Sequence, residues 1–426
     1  MVDTVSTIVL GESVRLHVIK TEKFKTNLIS AYMQRPLVKE EVTQNALLSM
    51  VLPRGTKSYL TTKEIAKTLE NLYGASIGCD VSKKGERNIL HFRMQLVNDI
   101  YIEEQNVFQK GLKILNEFMK EPLLQDNGFK REYITQEKAN LAERIEGRKN
   151  DKMRYGYDRC IEEMCKNENF SLYEYGSLEE LNPISGKSLY EHYMNVMNTS
   201  PVDICVVGNL NIELVKEMLL ENLKLKVSQP MEIPREKIEY DVKKVHYVTE
   251  EMDVNQGKLT MGYRTSVPYE SELYEPLVIF SNILGGGPHS KLFNNIREKE
   301  SLCYYIFSRI EKFKSLMLIS SGIEFANYEK TVDLIGKQLK GMINGEISPE
   351  EIESSKNSII TSLRAMTDSP AMLADFYYTQ IISNNKDSIE GIIEKIRRVE
   401  KEAIVEAGKN IQLDTIYFLK NKEEGK

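Results

Sequence analysis

Apolar positions recur along this chain in two periods, and the same succession of periods is written twice. Val14 to Ile19 and Asn27 to Met33 read as strands, the second closed by Pro36. A helix over about Glu40 to Leu52 follows. Another runs from Thr62 to Tyr73, opened by the capping box Thr61-x-x-Glu64 and stopped by Gly74. A hairpin from Ala75 to Val97 turns at Lys83-Lys84-Gly85, and a helix comes next with Phe108, Leu112, Leu115 and Met119 on one face. A long helical stretch from Phe129 to Cys165, a strand from Pro201 to Leu210 and a helix from Asn211 to Leu223 complete the first round.

Lys224 to Ile238 is charged, carries Pro230 and Pro234 and has no sustained period, which marks a domain boundary. The order then begins again. Strands are expected at Lys244 to Thr249 and Lys258 to Arg264, helices at Glu270 to Leu284 and Ser290 to Glu300, and a hairpin at Leu302 to Gly322 turning near Lys312. A helix containing Val332, Ile335, Leu339 and Met342 matches the one containing Phe108, and Ser348-Pro349-Glu350-Glu351 opens a long helical region before a last strand, Thr415 to Leu419. Leu72 and Leu302 occupy equivalent places before the two hairpins. Such a duplication predicts an α+β fold of two homologous domains, residues 1–228 and 239–426, each a mostly antiparallel sheet with helices on one face. Two such halves form a clamshell, and the groove between domains is the expected ligand site.

Composition narrows the function. A chain of 426 residues with 57 Lys+Arg against 63 Asp+Glu has a net charge of -6 and no basic block, which argues against nucleic acid as a partner. The start of the chain carries Asp3 and no basic n-region, and Thr7 to Leu10 is too short for a signal h-region. The longest uncharged run, Pro276 to Ser290, falls short of the roughly 20 apolar residues that a bilayer requires, so no membrane association is expected. Five cysteines without CxxC spacing suggest reduced thiols in a cytoplasm. Cys160 and Cys165 do not share a helix face closely and read as structural. His17, His91, His192, His246 and His289 are scattered without the spacing of a metal site, His289 being notable for following a glycine-rich stretch near Arg297. That stretch, Gly285-Gly286-Gly287, does not satisfy the P-loop pattern and reads as a turn that admits a substrate backbone, or as a helix stop.

The segment Ser290-Lys291-Leu292-Phe293-Asn294-Asn295-Ile296-Arg297-Glu298-Lys299-Glu300-Ser301-Leu302-Cys303-Tyr304 resembles the C-terminal-half signature of the pitrilysin-like, or inverzincin, peptidases, which include insulin-degrading enzyme and the mitochondrial processing peptidase. The likeness extends over nearly the whole chain, through the duplicated halves, Gly285 to Gly287 and the strand Asp203 to Asn209. Among the branches, it is most similar to bacterial proteins named for association with aminopentanol modification of elongation factor P. The resemblance implies that Arg297 and Tyr304, seven residues apart, bind peptide substrate. A guanidinium and a phenol suit that task, because both donate hydrogen bonds to carbonyls and to a developing oxyanion. By spacing alone the pair reads as an exposed helix cation beside Glu298 and Glu300 and a half-buried strand aromatic; the flanking Ser-x-Leu-Phe and Leu-x-Tyr favour the binding role.

Active members of this family carry H-x-x-E-H on the first helix of the first half, shortly before a Gly-Thr turn that here is Gly55-Thr56. The corresponding positions are Ala46, Ser49 and Met50, which with Val42 make an apolar stripe and offer no imidazole or carboxylate. The last zinc ligand lies seven residues after a glutamate matching Glu137, and falls on Arg144, one residue beyond Glu143. A full zinc site is worth about 10 to 16 kcal/mol, and alanine, serine and a thioether recover almost none of it. The expectation is a chain with no metal, no cofactor and no peptidase activity alone. Two functions fit: a substrate-binding subunit that supplies Arg297 and Tyr304, with Gly285, Gly286, Gly287 and His289 beside them, to a paralogous partner that holds zinc; or a non-proteolytic scaffold of the same fold. The substrate expected of the first is a peptide or unfolded protein.

Overall fold

The computed structural model describes residues 4–103, 106–223, 225 and 227–422. In chain order its elements are β1 (Thr4–Gly11), β2 (Val14–Lys20), β3 (Thr26–Pro36), α1 (Lys39–Val51), α2 (Thr62–Asn71), β4 (Ser76–Lys84), β5 (Arg87–Val97), α3 (Val107–Lys120), the short pair β6 (Leu124–Gln125) and β7 (Gly128–Phe129), and α4 (Arg131–Gly147). Then come α5 (Lys152–Met164), α6 (Leu178–Leu181), α7 (Gly186–Thr199), β8 (Val202–Gly208) and α8 (Ile212–Asn222). The second round runs β9 (His246–Met252), β10 (Gly257–Arg264), α9 (Tyr274–Gly285), a π-helix (Phe293–Lys299), β11 (Cys303–Glu311), β12 (Leu316–Ile323), α10 (Tyr328–Ile343), α11 (Pro349–Met366), α12 (Pro370–Ile382), α13 (Ile389–Arg398), α14 (Lys401–Lys409) and β13 (Gln412–Asn421).

The duplication is written in the sheets. One has the order β4-β5-β3-β8-β2-β1 and the other β11-β12-β10-β13-β9, so the second repeats the first strand for strand but lacks a counterpart of β1. Each is antiparallel except for one pair, β2 with β8 and β9 with β13. The Ser348 capping box forms as read, with Ser348 and Glu351 bonded reciprocally; at α2 Thr61 Oγ1 accepts from Glu64 N at 3.2 Å, but the Glu64 carboxylate accepts from Leu60 N at 2.7 Å, one residue before the cap. The strand β1 was not legible as one, and the helical stretch Phe129 to Cys165 is two helices broken at 148–151.

Packing divides the chain into two units that exchange segments. The first comprises Met1–Glu146, Leu172–Arg235 and Met366–Ile382; the second comprises Gly147–Ser171, Glu236–Ala365 and Ser383–Lys426. The continuous stretches 1–228 and 239–426 therefore do not coincide with the packed units, although the main changeover falls inside the expected linker. Lys224, where that linker begins, lies outside the described residues.

The exchange has a physical reason within each unit. In the first, alternate residues of β3 point Ile29, Ala31 and Met33 into a core shared with α1 and α3. Tyr32 points the other way, and Tyr378 of α12 stacks on it at 3.9 Å with His91 on its far side at 4.3 Å. The helix α12 thus adds cover to the face that the unit's other helices leave open. The same face buries Asp203, which accepts from Arg15 at 2.7 and 2.9 Å, His17 at 2.9 Å and Gln34 at 3.0 Å. Burial opposes that carboxylate's charge, but the hydrogen bonds from His17 and Arg15 prevail and hold its pKa low. In the second unit α5 takes the corresponding place on β10 and β13, with Arg264 paired to Glu168 at 2.6 Å and to Asp414 at 3.0 Å.

Burial lowers the pKa of His91 from 6.5 to about 4, with Arg93 and Lys84 adding to the effect and Asp375 opposing it. Below pH 6.5 the unfolded chain then takes up a proton that the folded chain refuses, so stability falls as pH drops toward 4. Urea titrations at several pH values in that window should show a shallower acid loss for His91→Phe, which keeps the stacked ring and removes the titration.

Candidate functional site

In the first unit the positions of the zinc motif are core. Ala46 on α1 is fully buried, Ser49 turns its hydroxyl back to Ala46 O at 2.8 Å, and Met50 packs against the same apolar cluster. No group among the described residues gathers three potential metal ligands. Beside this helix the chain supplies its own cation. The Arg144 guanidinium lies over the Tyr175 ring at 3.7 Å, donates to its hydroxyl and stands 3.8 Å from Asp80 on β4, while Tyr175 donates to Asp80 at 3.1 Å. Gly176, at φ +76°, lets this segment settle onto Thr43, three residues before Ala46 on the same helix. A guanidinium here repels a dication where a carboxylate would attract it.

Glu137 keeps a structural task. It is buried, paired with Arg54 at 2.8 Å and bonded by Asn140 at 3.0 Å, and Arg54 also lies over Tyr133 at 4.9 Å. Reading the sequence missed Arg54, which stands just before Gly55-Thr56 and ties the end of α1 to α4.

The second unit holds the other candidates, and it presents the pair. Arg297 sits in the π-helix Phe293–Lys299, a geometry often found at functional sites, where an α-helix was expected. Its guanidinium lies over Phe293 at 4.6 Å, its side chain is 41% exposed, and the nearest carboxylate, Glu298, is 3.9 Å away. The chain then turns through Ser301 at φ 52° into β11. There Cys303 pairs with Ile323 and Tyr305 with Gly322, which leaves Tyr304 as the extra residue of a β-bulge. The bulge throws Tyr304 outward, 61% exposed, and its hydroxyl donates to Glu324 at 2.6 Å, a bond that raises the phenol's pKa. Glu324, the bulge and the π-helix left no signal in the sequence.

The glycines separate. Gly285, the buried last residue of α9, has Ser308 N only 2.5 Å from where a Cβ would stand, so it serves the seating of α9 on β11. Gly286 is exposed and Gly287 half-buried, and His289 Nε2 bonds Asn282 Oδ1 at 2.9 Å, which closes the turn.

The fold and its family are shared with known proteins. The model of the family domain described as "Peptidase M16 inactive domain" matches residues 183–359. The chain is 40% identical over 408 residues, 96% of each chain, to the "Probable inactive metalloprotease YmfF" of Bacillus subtilis (strain 168). It belongs to the M16 peptidase family. Within that family it is a non-catalytic homologue. The "Uncharacterized zinc protease YmxG" of the same organism is 22% identical over 234 residues, 54% of this chain and 56% of that one. The crystal structure of a conserved protein from Enterococcus faecalis V583 superposes with a TM-score of 0.92 at 29% identity over all of both chains.

Two outcomes follow for this M16 chain. Metal analysis after purification without chelator should give zinc far below one per chain, and EDTA should leave the melting temperature unchanged. Gly285→Ala should cost about 1 to 3 kcal/mol in a urea titration, because backbone and not a flexible side chain meets the added methyl.

Proposed function

We propose that this chain is the substrate-binding subunit of a heterodimeric zinc metallopeptidase. The observation that carries the reading is the contrast between the two halves of the machinery: the zinc positions are filled by core and by Arg144, while Arg297 and Tyr304 stand exposed on a π-helix and a bulge. A pair with only a packing task would be buried, and a bulged, solvent-facing tyrosine adds nothing to the ladder. In this role the guanidinium and phenol hold the carbonyls of a peptide or unfolded protein, with Gly286, Gly287 and His289 at the margin. The partner supplies zinc, the activated water and the glutamate base, so this chain binds no cofactor of its own. A homologue of the kind named as a zinc protease, such as the relative of 22% identity, is the type of chain that would serve. No described helix is long and apolar enough to cross a membrane, and all five cysteines are unpaired, which supports a cytoplasmic site of action.

Mixing the purified chain with a paralogue that carries H-x-x-E-H and assaying cleavage of unstructured peptides tests the proposal. Activity should appear only in the mixture and fall at least tenfold with Arg297→Ala, as expected when a group that stabilises the oxyanion is lost. Activity indifferent to Arg297 and Tyr304 would leave the non-proteolytic scaffold as the surviving account.

A further inference from the structure

Tyr304 has one proton to donate, and it is already engaged. Its hydroxyl donates to Glu324 Oε1 at 2.6 Å. Glu324 directly follows β12 and is exposed, and none of the described cations pairs with its carboxylate. Because Tyr304 is the bulged residue, this bond lies outside the ladder, which resumes at Tyr305 and Gly322. A phenol carries a single O–H. A peptide carbonyl can therefore take it only by displacing the carboxylate, replacing a charge-assisted bond with a neutral one of roughly half the strength. The exchange is unfavourable for a neutral ligand, and more so for an acidic one. It becomes favourable when the incoming chain brings a cation to occupy the carboxylate that Tyr304 has left. Arg297 does not compete for that place, since it is stacked on Phe293 with Glu298 as its nearest carboxylate.

We infer that Glu324 is a specificity-determining residue, admitting peptides that carry a lysine, arginine or terminal ammonium beside the carbonyl taken by Tyr304 and disfavouring neutral and acidic ones. The inference rests on the reading of Arg297 and Tyr304 as the peptide-binding pair. Glu324 also acts as a positioning residue, because its carboxylate keeps the bulged phenol in one orientation until a ligand replaces it.

Fluorescence anisotropy with the full chain and three unstructured peptides, differing only in lysine, acetyl-lysine or glutamate at one position, tests this at low ionic strength. The lysine peptide should bind about three- to fivefold more tightly than the acetyl-lysine peptide, the span of a solvent-exposed charge pair. In Glu324→Gln that ratio should fall to about one, while Glu324→Asp retains part of it. A wild-type ratio near one, or a ratio that survives in Glu324→Gln, overturns the role of Glu324 even where Arg297→Ala weakens all three peptides. Should no peptide bind, or should Arg297→Ala and Tyr304→Phe change nothing, the underlying pair is not the binding site and the reading beneath the inference falls instead.

Discussion

Covering the second face of each sheet is the constraint on which this architecture depends. The central strands are buried on both sides: β8 and β12 have every residue out of water, and β3 all but its ends. Helices close in sequence account for one face. The other receives α12 in the first unit and α5 in the second, each drawn from the opposite stretch of the chain. Both seats include ionic groups, Asp203 among Arg15, His17 and Gln34 in one and Glu168 between Arg264 and Lys314 in the other. Such networks add little over an apolar contact, yet removing one partner strands a buried charge at a cost of about 3 to 5 kcal/mol. In the second unit Glu168, just after α5, ties that helix to β10 through Arg264.

This arrangement shows how the fold stands without metal ligands on α1. The helix α1 faces an apolar cluster, so small and apolar residues at Ala46 and Met50 extend the core that was already there. Arg144 is an internal cation held by Tyr175 and Asp80. The second unit shows the reverse economy of change. Tyr304 and Arg297 contribute little to burial, and keeping them on display requires two irregular elements, a π-helix and a bulge, that regular packing would not select.

Much of this was legible. Most of the strand and helix order, the two hairpins, the Ser348 capping box and the repeat follow from period and punctuation because each is decided by residues within a few positions of one another, whereas β1, α6 and α7 were missed. The departure of Ala46, Ser49 and Met50 from a metal-binding set was equally visible, since a missing imidazole is missing in any fold. Of the two readings of the glycine stretch, the helix stop describes Gly285, which ends α9; its small size also answers to Ser308 on a strand more than twenty residues away in sequence, a neighbour that no local pattern names.

Local chemistry along the chain determined the α+β class, the duplication and the apolar character of Ala46 and Met50, all of which depend on residue type and spacing. Tertiary structure alone decided that α5 and α12 change places, that Arg144 finds Tyr175 and Asp80, and that Tyr304 is turned outward onto Glu324. Those outcomes depend on which distant surfaces meet and on where a strand's register slips by one residue. Neither a period of 2 nor one of 3.6 carries that information.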